Sequence, residues 1–246
     1  MGYRRKQRKI KANKPGRGGR EPLSRERIEL AALELIEHEG LEGFSTRKLG
    51  EALGCEAMSI YHHFPSKAHL LNALVDRLIT GIAMPAGDVD PIERIRRISY
   101  SYRRIGHRHP RLFPYIALYR MNSRSALGFL DQVIGMFRDA GLSEESTARL
   151  FRALSYYLTG AVLDETSGYA KGPSAVEPVS DQEIARDFPL VAMAGPYFRQ
   201  QHFEDTFATG LKVILQAVRD AAGRTRAGKR EARKGNGAPT GDRHDS

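Results

Sequence analysis

Apolar residues recur at helical spacing along most of this chain. Between residues 28 and 36 they fall at positions i, i+3, i+4, i+7 and i+8, which predicts a helix with one buried face. Ser24 can cap the start of this helix, and Gly40 can end it. The buried residues are predicted to be Ile28, Ala31, Ala32, Leu35 and Ile36. No stretch alternates apolar and polar residues for long enough to form a sheet, so the fold class is predicted to be all-α.

Two short helices and a tight turn are predicted within residues 40–67. Ser45 or Thr46 can cap the first helix, and Gly54 after it can turn the chain through positive φ. The second helix is predicted over residues 57–63. The side chains that point inward from the pair are predicted to be Leu49, Ala52, Leu53, Ile60 and Phe64. With the preceding helix, the two make a three-helix unit.

The outward face of the second short helix is mostly polar. It offers a hydroxyl, a phenol and two imidazoles, which contribute little to stability; its residues are Ala57, Met58, Ser59, Tyr61, His62 and His63. Pro65 stops this helix, and Ser66 can cap the next one, which has Lys67 in its first turn. Two short helices joined by a tight turn, with an exposed polar face, are the architecture of a DNA-reading helix-turn-helix.

Residues 24–67 resemble the N-terminal domain of the TetR family of bacterial transcriptional regulators. The resemblance rests on the stripe of the first helix, the run Gly-Phe-Ser-Thr-Arg-Lys-Leu at residues 43–49, the Leu53-Gly54 turn and the run Ser-Ile-Tyr-His-His-Phe-Pro-Ser-Lys at residues 59–67. It covers less than a fifth of the chain. It implies a three-helix DNA-binding head followed by a larger helical domain that binds a small-molecule ligand and dimerises. The implied function is a ligand-responsive repressor that binds a palindromic operator.

The DNA contacts can be assigned by side-chain chemistry. Arg47 is predicted to read a base, because its guanidinium can bond two acceptors of a guanine edge. The small or apolar residues of the second short helix, Ala57, Met58 and Ser59, are predicted to meet base edges or thymine methyls. Predicted phosphate contacts are Thr46, Tyr61, His63 and Lys67. Lys48 and His62 complete the predicted DNA-binding set.

Beyond the head, the pattern predicts helices throughout. The predicted spans are residues 67–83, 91–107, 110–119, 123–140 and 181–194, with two longer helices that start near residues 143 and 201, the second ending near residue 222. A loop rich in glycine, proline and serine is predicted over residues 167–180.

The two long helices carry strong apolar stripes. The first stripe is Leu150, Leu154, Tyr157, Leu158 and Ala161, and the second is Phe203, Phe207, Leu211, Ile214 and Val218. The resemblance implies that both helices pair with their copies from a second subunit in a four-helix bundle, and a two-fold dimer is the usual partner of a helix-turn-helix. The alternative is that the stripes pack only the core of one subunit.

The resemblance also implies a small-molecule pocket in the helical domain. The predicted contacts are Tyr102, Phe113, Tyr119, Phe137, Tyr157 and Asp164. Asp164 and its neighbour Glu165 are the candidates for a polar contact in the pocket, although a solvated helix end explains them equally well. Aromatic residues at helical spacing also fill cores, so these rings could equally be structural. No metal site is predicted from His107 and His109, because an i, i+2 pair on a helix points in two directions.

The net charge of +10 is unevenly distributed. Residues 1–20 hold nine Lys or Arg and no acid, whereas residues 21–80 hold ten acids and six Lys or Arg. Residues 223–246 are basic again. The charge distribution and the family resemblance together predict four segments. They are a basic flexible arm (1–20), a DNA-binding domain (21–66), a ligand-binding and dimerisation domain (67–222) and a disordered basic tail (223–246). The arm either reaches along a DNA groove or is a solvated tail.

Several function classes lack support in the sequence. It has no phosphate-binding glycine loop, no Gly-x-Ser-x-Gly elbow and no His-Glu-x-x-His run, so neither an enzyme nor a cofactor is predicted. Its apolar runs are short and its N-terminus has no apolar segment, so a cytoplasmic protein without a membrane partner is predicted. The rivals to a dimeric regulator of double-stranded operator DNA are a helical small-molecule carrier and an architectural protein that binds DNA without sequence preference.

Overall fold

The computed structural model describes residues 22–167 and 175–235, and every regular element among them is a helix. They are α1 (Arg25–Glu39), α2 (Thr46–Leu53), α3 (Ala57–Tyr61), α4 (Lys67–Thr80), α5 (Pro91–Arg108), α6 (Phe113–Leu118), α7 (Arg124–Asp139), α8 (Glu144–Ser167), α9 (Asp181–Asp187), α10 (Pro189–Ala194) and α11 (Phe203–Gly235), with 3-10 helices at Gly195–Phe198 and Gln200–His202. The predicted all-α fold, a three-helix head (α1 to α3) and a larger helical body (α4 to α11), is confirmed. The predicted basic arm at residues 1–20 lies outside the described residues. None of the described helices combines the length and apolarity needed to cross a membrane.

Serine caps fix the starts of three of the first four helices. Ser24, Ser45 and Ser66 each accept a hydrogen bond from the backbone N–H three residues later, at 3.1, 3.3 and 3.3 Å. Gly40 ends α1 with a φ of 83°. These helix boundaries match the predicted ones, because capping depends on residues that are close in sequence.

The core of the head lies between α1, α2, α3 and α4. Its buried residues include Ile28, Ala32, Ile36, Phe44, Leu49, Ile60, Phe64 and Leu70. The inward orientation predicted for Ile60 and Phe64 is confirmed. The prediction that Ala52 is buried is wrong. The buried side of α2 runs through Leu49 and Gly50, where α3 packs, and this turns Ala52 to solvent.

Some helix ends differ from the predicted ones. α3 ends at Tyr61 rather than residue 63, although His62 keeps a helical conformation with φ −64° and ψ −28°. The α4 and α6 helices are each shorter than predicted. The helix predicted over residues 181–194 is two helices, because Pro189 begins α10 and has no N–H to continue the preceding helix.

The last helix is longer than predicted. It continues past residue 222 to Gly235, so the prediction of a disordered tail is wrong for residues 223–235. Six of its thirteen residues are Arg or Lys and two are Ala, all of which favour helix, and it has no proline. Its basic composition suggested disorder, but the same residues have high helix propensity, which outweighs the cost of its glycines.

The main core of the body joins α5, α7, α8 and α11. Its buried residues include Ile95, Met136, Phe137, Leu154, Leu158, Phe207, Leu211 and Val218. The apolar stripes of α8 and α11 therefore face each other within one subunit, which is the alternative that the sequence left open. Any contact of these two helices with a second subunit has to use their opposite, exposed faces.

A buried ion cluster ties α5 to α8 and α11. The Arg103 Nε donates to the Glu165 carboxylate at 2.7 Å, and a second Arg103 nitrogen bonds to Glu204. His107 Nε2 lies 2.6 Å from the same Glu165 oxygen, and the Arg103 guanidinium lies 4.4 Å above the ring of Phe207. Burial alone would lower the pKa of Arg103, but its hydrogen bonds with the two carboxylates raise it overall. Arg103 therefore stays charged in the core.

Candidate nucleic-acid interface

The turn between α2 and α3 depends on backbone conformation. Gly54 lies in the left-handed region with φ 69° and ψ 33°, which glycine adopts without a steric penalty. The N–H of Cys55 donates to the carbonyl of Gly50 at 2.9 Å and closes the end of α2. The predicted turn at Gly54 is confirmed, and it sets the direction in which α3 leaves α2.

The two helices of the motif come into close contact at Gly50. A Cβ at this position would lie 2.8 Å from the backbone oxygen of Cys55 and 3.3 Å from the backbone nitrogen of Ala57. Any side chain there would push α3 away from α2. Sequence reasoning missed this residue; the available signal is a glycine inside a helical pattern, which often marks a packing constraint.

The outer face of α3 is open to solvent. Met58 is 63% exposed and Tyr61 is 37% exposed. His62 is also exposed, and Ala57, Ser59 and His63 are partly exposed. Ile60 and Phe64 anchor the opposite side in the head core, so the orientation of the outer face is fixed by packing.

Arg47 projects from the first turn of α2. Its side chain is 80% exposed, and one guanidinium nitrogen lies 3.4 Å from the carboxylate of Glu51. An exposed ion pair of this kind contributes at most about 1 kcal/mol. The guanidinium can therefore exchange Glu51 for another acceptor at little cost.

Thr46 and Tyr61 connect α2 to α3. Their hydroxyl oxygens lie 3.0 Å apart, and either can donate. Both residues are predicted phosphate contacts, and the structure brings them together at one point of the surface. Each hydroxyl keeps capacity for another partner, since a hydroxyl offers one donor and two acceptor sites.

Two predicted DNA contacts, Lys48 and Lys67, have partners inside the head. Lys48 donates to the Glu39 carboxylate and, at 3.0 Å, to the carbonyl of Gly43. Lys67 donates to the carbonyl of Phe44 at 2.9 Å and lies 5.2 Å above its ring. Both lysines therefore hold the loop between α1 and α2. An ammonium has three donors, so each can bind a further acceptor.

Arg25 holds the chain just after α3. Its Nη1 donates to the carbonyl of His63 at 2.7 Å, and its guanidinium lies 4.2 Å above the ring of Phe64. Sequence reasoning missed this residue, because the contact joins positions 38 residues apart and no local spacing predicts it.

A negative charge precedes α3. Glu56 occupies the N-cap position, is exposed, and makes no capping hydrogen bond through its side chain. Its carboxylate stabilises α3 less than a capping serine or aspartate would. Beside a DNA backbone it would face phosphate of the same charge.

The body encloses a cavity of about 340 Å³ between α5, α6, α7 and α8. Tyr102 and Tyr119, both predicted ligand contacts, line it. Phe113 and Phe137 are fully buried in the cores instead, and their rings pack edge-on against other aromatic residues. Among the described residues, no group of three or more His, Cys, Asp or Glu side chains is arranged to hold a metal ion.

The remaining two predicted ligand residues also lie away from the cavity lining. Tyr157 donates its hydroxyl to the carbonyl of Phe207 at 2.6 Å and packs between α8 and α11. Asp164 is exposed, whereas its neighbour Glu165 is buried against Arg103. Adjacent helical residues point about 100° apart, so the candidate pair Asp164 and Glu165 divides between solvent and core.

The α6 helix lines the cavity, and the residues just before it are hydrogen-bonded to the head. The Glu37 carboxylate at the end of α1 accepts the backbone N–H groups of Arg111 and Leu112, both at 3.3 Å, just before α6. Burial raises the pKa of Glu37 more than these hydrogen bonds lower it. On α6 itself, the Tyr115 hydroxyl donates to Asn72 of α4 at 3.2 Å. A shift of α6 would therefore act directly on α1 and α4.

These features define a helix-turn-helix DNA-binding protein whose second, helical domain contains a ligand-sized cavity. Residues 29–74 match the family model described as bacterial regulatory proteins, tetR family, and residues 84–221 match the model for the tetracyclin repressor-like C-terminal domain. The chain belongs to the TetR family and is a DNA-binding transcriptional regulator.

Individual relatives agree with this assignment. The HTH-type transcriptional repressor Rv1353c of Mycobacterium tuberculosis is 33% identical over 219 residues, which are 82% of this chain and 81% of that protein. The HTH-type transcriptional repressor DrrR1 of Streptomyces coeruleorubidus is 28% identical over 150 residues, which are 60% of this chain but only 56% of DrrR1. The structure of the Streptomyces coelicolor TetR family protein ActR in complex with actinorhodin shares the fold, with a TM-score of 0.67 and 23% identity over 82% of this chain and all (100%) of ActR.

Proposed function

We propose that this regulator is a repressor that binds a palindromic operator as a homodimer and leaves it when a small molecule occupies the cavity of the body. The observation that carries the proposal is the exposed face of α3 beside Arg47. The core of the same head extends to α6, and α6 also lines the cavity. The repressors Rv1353c and DrrR1 support repression, and the ActR complex with actinorhodin supports a ligand site in a body of this fold. We assign residues 21–66 to DNA binding and residues 67–222 to ligand binding and dimerisation, and we expect the protein to act in the cytoplasm.

The proposed DNA contacts follow from exposure and chemistry. The α3 helix enters the major groove, where Arg47 bonds a guanine and Ala57, Met58 and Ser59 meet base edges or thymine methyls. The hydroxyl pair of Thr46 and Tyr61 binds a phosphate. Other phosphate contacts come from Lys48, His62, His63 and Lys67, and they set the register of the head on the duplex.

Arg47 provides the direct test of base reading. Arg47→Ala should weaken binding to the operator by about 1–3 kcal/mol, because a bidentate contact to guanine is lost. Affinity for random DNA should fall much less. The measurement is fluorescence anisotropy with a DNA fragment from beside the gene and with a scrambled fragment, at fixed salt.

Arg47→Lys is the matched control, because it keeps the charge but replaces the planar, rigid guanidinium fork with a flexible point charge. We expect it to lose operator preference nearly as much as Arg47→Ala does while keeping most of the affinity for random DNA. Equal operator affinity of the parent and Arg47→Ala would remove Arg47 from the base-reading set.

Replacement of Glu56 is expected to raise the affinity for DNA, whereas replacement of Arg47 lowers it. Glu56→Ser should raise affinity for operator and random DNA alike, by roughly three- to tenfold at low salt, because it removes a carboxylate near phosphate and supplies a capping hydroxyl to α3. Glu56→Gln separates the two effects, since it removes the charge without adding a good cap. Unchanged affinity of both variants would mean that Glu56 lies away from the DNA backbone.

The dimer interface is proposed on the outer faces of α8 and α11. Their inner faces are occupied within the subunit, whereas Tyr156 on α8 is 64% exposed and Val213 on α11 is 66% exposed. Small residues, Ala153 and Gly160, accompany Tyr156 on the exposed side of α8 and leave room for a second helix. Further exposed apolar side chains on α10 and beside it, Leu190, Val191, Met193 and Phe198, extend the unpartnered surface.

Ligand release is proposed to act through α6. A molecule in the cavity contacts Ile116, Ala117 and Tyr119 around α6. The same segment is bonded to the head and to α4, because Leu112 donates to Glu37 and Tyr115 donates to Asn72. Movement of α6 would reorient each head and change the spacing of the two recognition helices. Linkage then requires operator DNA to weaken ligand binding by the same factor by which ligand weakens DNA binding.

A further inference from the structure

The cavity of the body has a mostly apolar wall. Side chains from α5, α7 and α8 supply most of it, including Ile98, Phe129, Val133, Phe151, Leu154 and Leu158. The volume of about 340 Å³ lies at the lower end of the range of small-molecule sites, roughly 300–1,000 Å³. A compact molecule with an extensive apolar surface fits such a space.

The polar groups of the cavity are few, and one of them already has a hydrogen-bond partner. Ser155 donates to the carbonyl of Phe151 at 2.9 Å, and burial raises the pKa of the Tyr102 phenol, which favours its protonated, neutral form. The groups left for a ligand are the hydroxyls of Tyr102, Tyr119 and Thr159 and the guanidinium groups of Arg120 and Arg152. Each of these groups can donate a hydrogen bond, but only the two arginines carry a charge and several donors each.

Among the described residues no carboxylate lines the cavity, so none of them neutralises its two arginines there. Arg152 lies 4.6 Å above the ring of Tyr156, a contact that leaves its N–H groups available. Within the described part of the chain, Arg120 has no hydrogen-bond or ion-pair partner. Asp76, whose charge helps to raise the pKa of Tyr119 after the larger effect of burial, is bonded to Ser123 and Ser125 and does not line the cavity.

We propose that the ligand of this cavity is a compact apolar molecule with one anionic group, such as an aromatic carboxylate or sulfonate, whose charged end is bound by Arg120 and Arg152. Both arginines are exposed and lie at the mouth, so the anion stays close to solvent and its desolvation cost is small. The apolar part fills the interior, and the Tyr119 hydroxyl can donate to the anion. A cation would meet two positive charges and no acceptor carboxylate. The inference rests on the proposed ligand-binding function of the body.

A pair of dyes tests the charge requirement directly. 8-Anilinonaphthalene-1-sulfonate and N-phenyl-1-naphthylamine share one ring system, but only the first carries a negative charge. With the full chain at fixed ionic strength, fluorescence titration should give tighter binding of the sulfonate dye. The double variant Arg120→Gln with Arg152→Gln should weaken the sulfonate dye about tenfold, the lower end of what charge-assisted hydrogen bonds contribute. The neutral dye should bind the parent and this variant equally.

Arg149→Gln is the matched control, because Arg149 lies on α8 one turn before Arg152 but pairs with Glu145 and does not line the cavity. It should leave both affinities unchanged. Val133→Phe and, independently, Ala117→Leu narrow the cavity and should weaken both dyes.

The outcomes separate two kinds of failure. If both dyes respond to cavity narrowing but the arginine variant binds the sulfonate dye like the parent, the cavity is a ligand site without selection for anions, and the charge inference is overturned while the proposed function stands. If neither narrowed variant, each folded by circular dichroism, changes the binding of either dye, the dyes bind elsewhere, and both the charge inference and the assignment of the cavity are overturned.

Discussion

Leu211→Glu is expected to unfold the body of this protein. Leu211 is 2% exposed and packs in the main core with α5, α7 and α8. Truncation of a buried leucine costs about 2–5 kcal/mol, and a carboxylate at the same place adds an unpaired buried charge. Since domains of this size are stable by only about 5–15 kcal/mol, most of the folded population should be lost. Thermal unfolding followed by circular dichroism is the measurement.

Val213→Glu, two residues away, is the matched variant for the dimer. Val213 is 66% exposed on the outer side of α11, so a charge there should change the stability of one subunit by no more than about 0.5 kcal/mol. If the outer faces of α8 and α11 form the dimer, light scattering should show a folded monomer with much weaker operator binding. A Val213→Glu protein that remains dimeric and binds operator normally would place the interface elsewhere, and a stable Leu211→Glu protein would contradict the packing of α11.

The contrast between these two positions shows what an apolar stripe in a sequence can predict. The stripes of α8 and α11 correctly indicate which side of each helix avoids water. They do not indicate whether the partner is another helix of the same chain or a copy of the chain, because burial against either has the same free energy per unit area. Leu154 and Leu211 are therefore core residues, and the proposed dimer contacts are residues that the stripe left out.

Local chemistry explains the parts of the DNA-binding head that were predictable. The serine caps, the Gly54 turn and the inward positions of Ile60 and Phe64 depend on residues within four positions of one another. The support of α3 by Arg25 depends on a contact across 38 residues and needs the folded head. The exposure of Ala52 depends on where α3 crosses α2, which a helical period alone does not specify.

The ligand cavity was less predictable than the head. Its wall combines residues from four helices and the two segments before α5 and after α6, so the aromatic content of the sequence could not separate Tyr102 and Tyr119 from the core rings of Phe113 and Phe137. The charged residues of the cavity, Arg120 and Arg152, gave no sequence signal because both are exposed arginines in a chain with many.

The buried cluster around Arg103 gives the second large expected effect. Glu165→Ala should destabilise the body by about 3 kcal/mol, because it leaves the buried Arg103 without its main partner. The estimate lies at the lower end of the range for broken buried pairs, since Glu204 still bonds to Arg103 from the surface. Urea denaturation monitored by circular dichroism measures the loss, provided that the slope of the transition is unchanged.

The double variant Arg103→Met with Glu165→Met tests whether the loss comes from an uncompensated charge. Apolar side chains of similar length remove both charges and keep the volume, and buried ion pairs replaced in this way are often no less stable. The remaining partners, Glu204 and His107, are 62% and 42% exposed and can be solvated. The double variant should therefore recover most of the stability that Glu165→Ala loses. If it is as unstable as the single variant, the destabilisation comes from lost packing between α5 and α8, and the charge of Arg103 is not its cause.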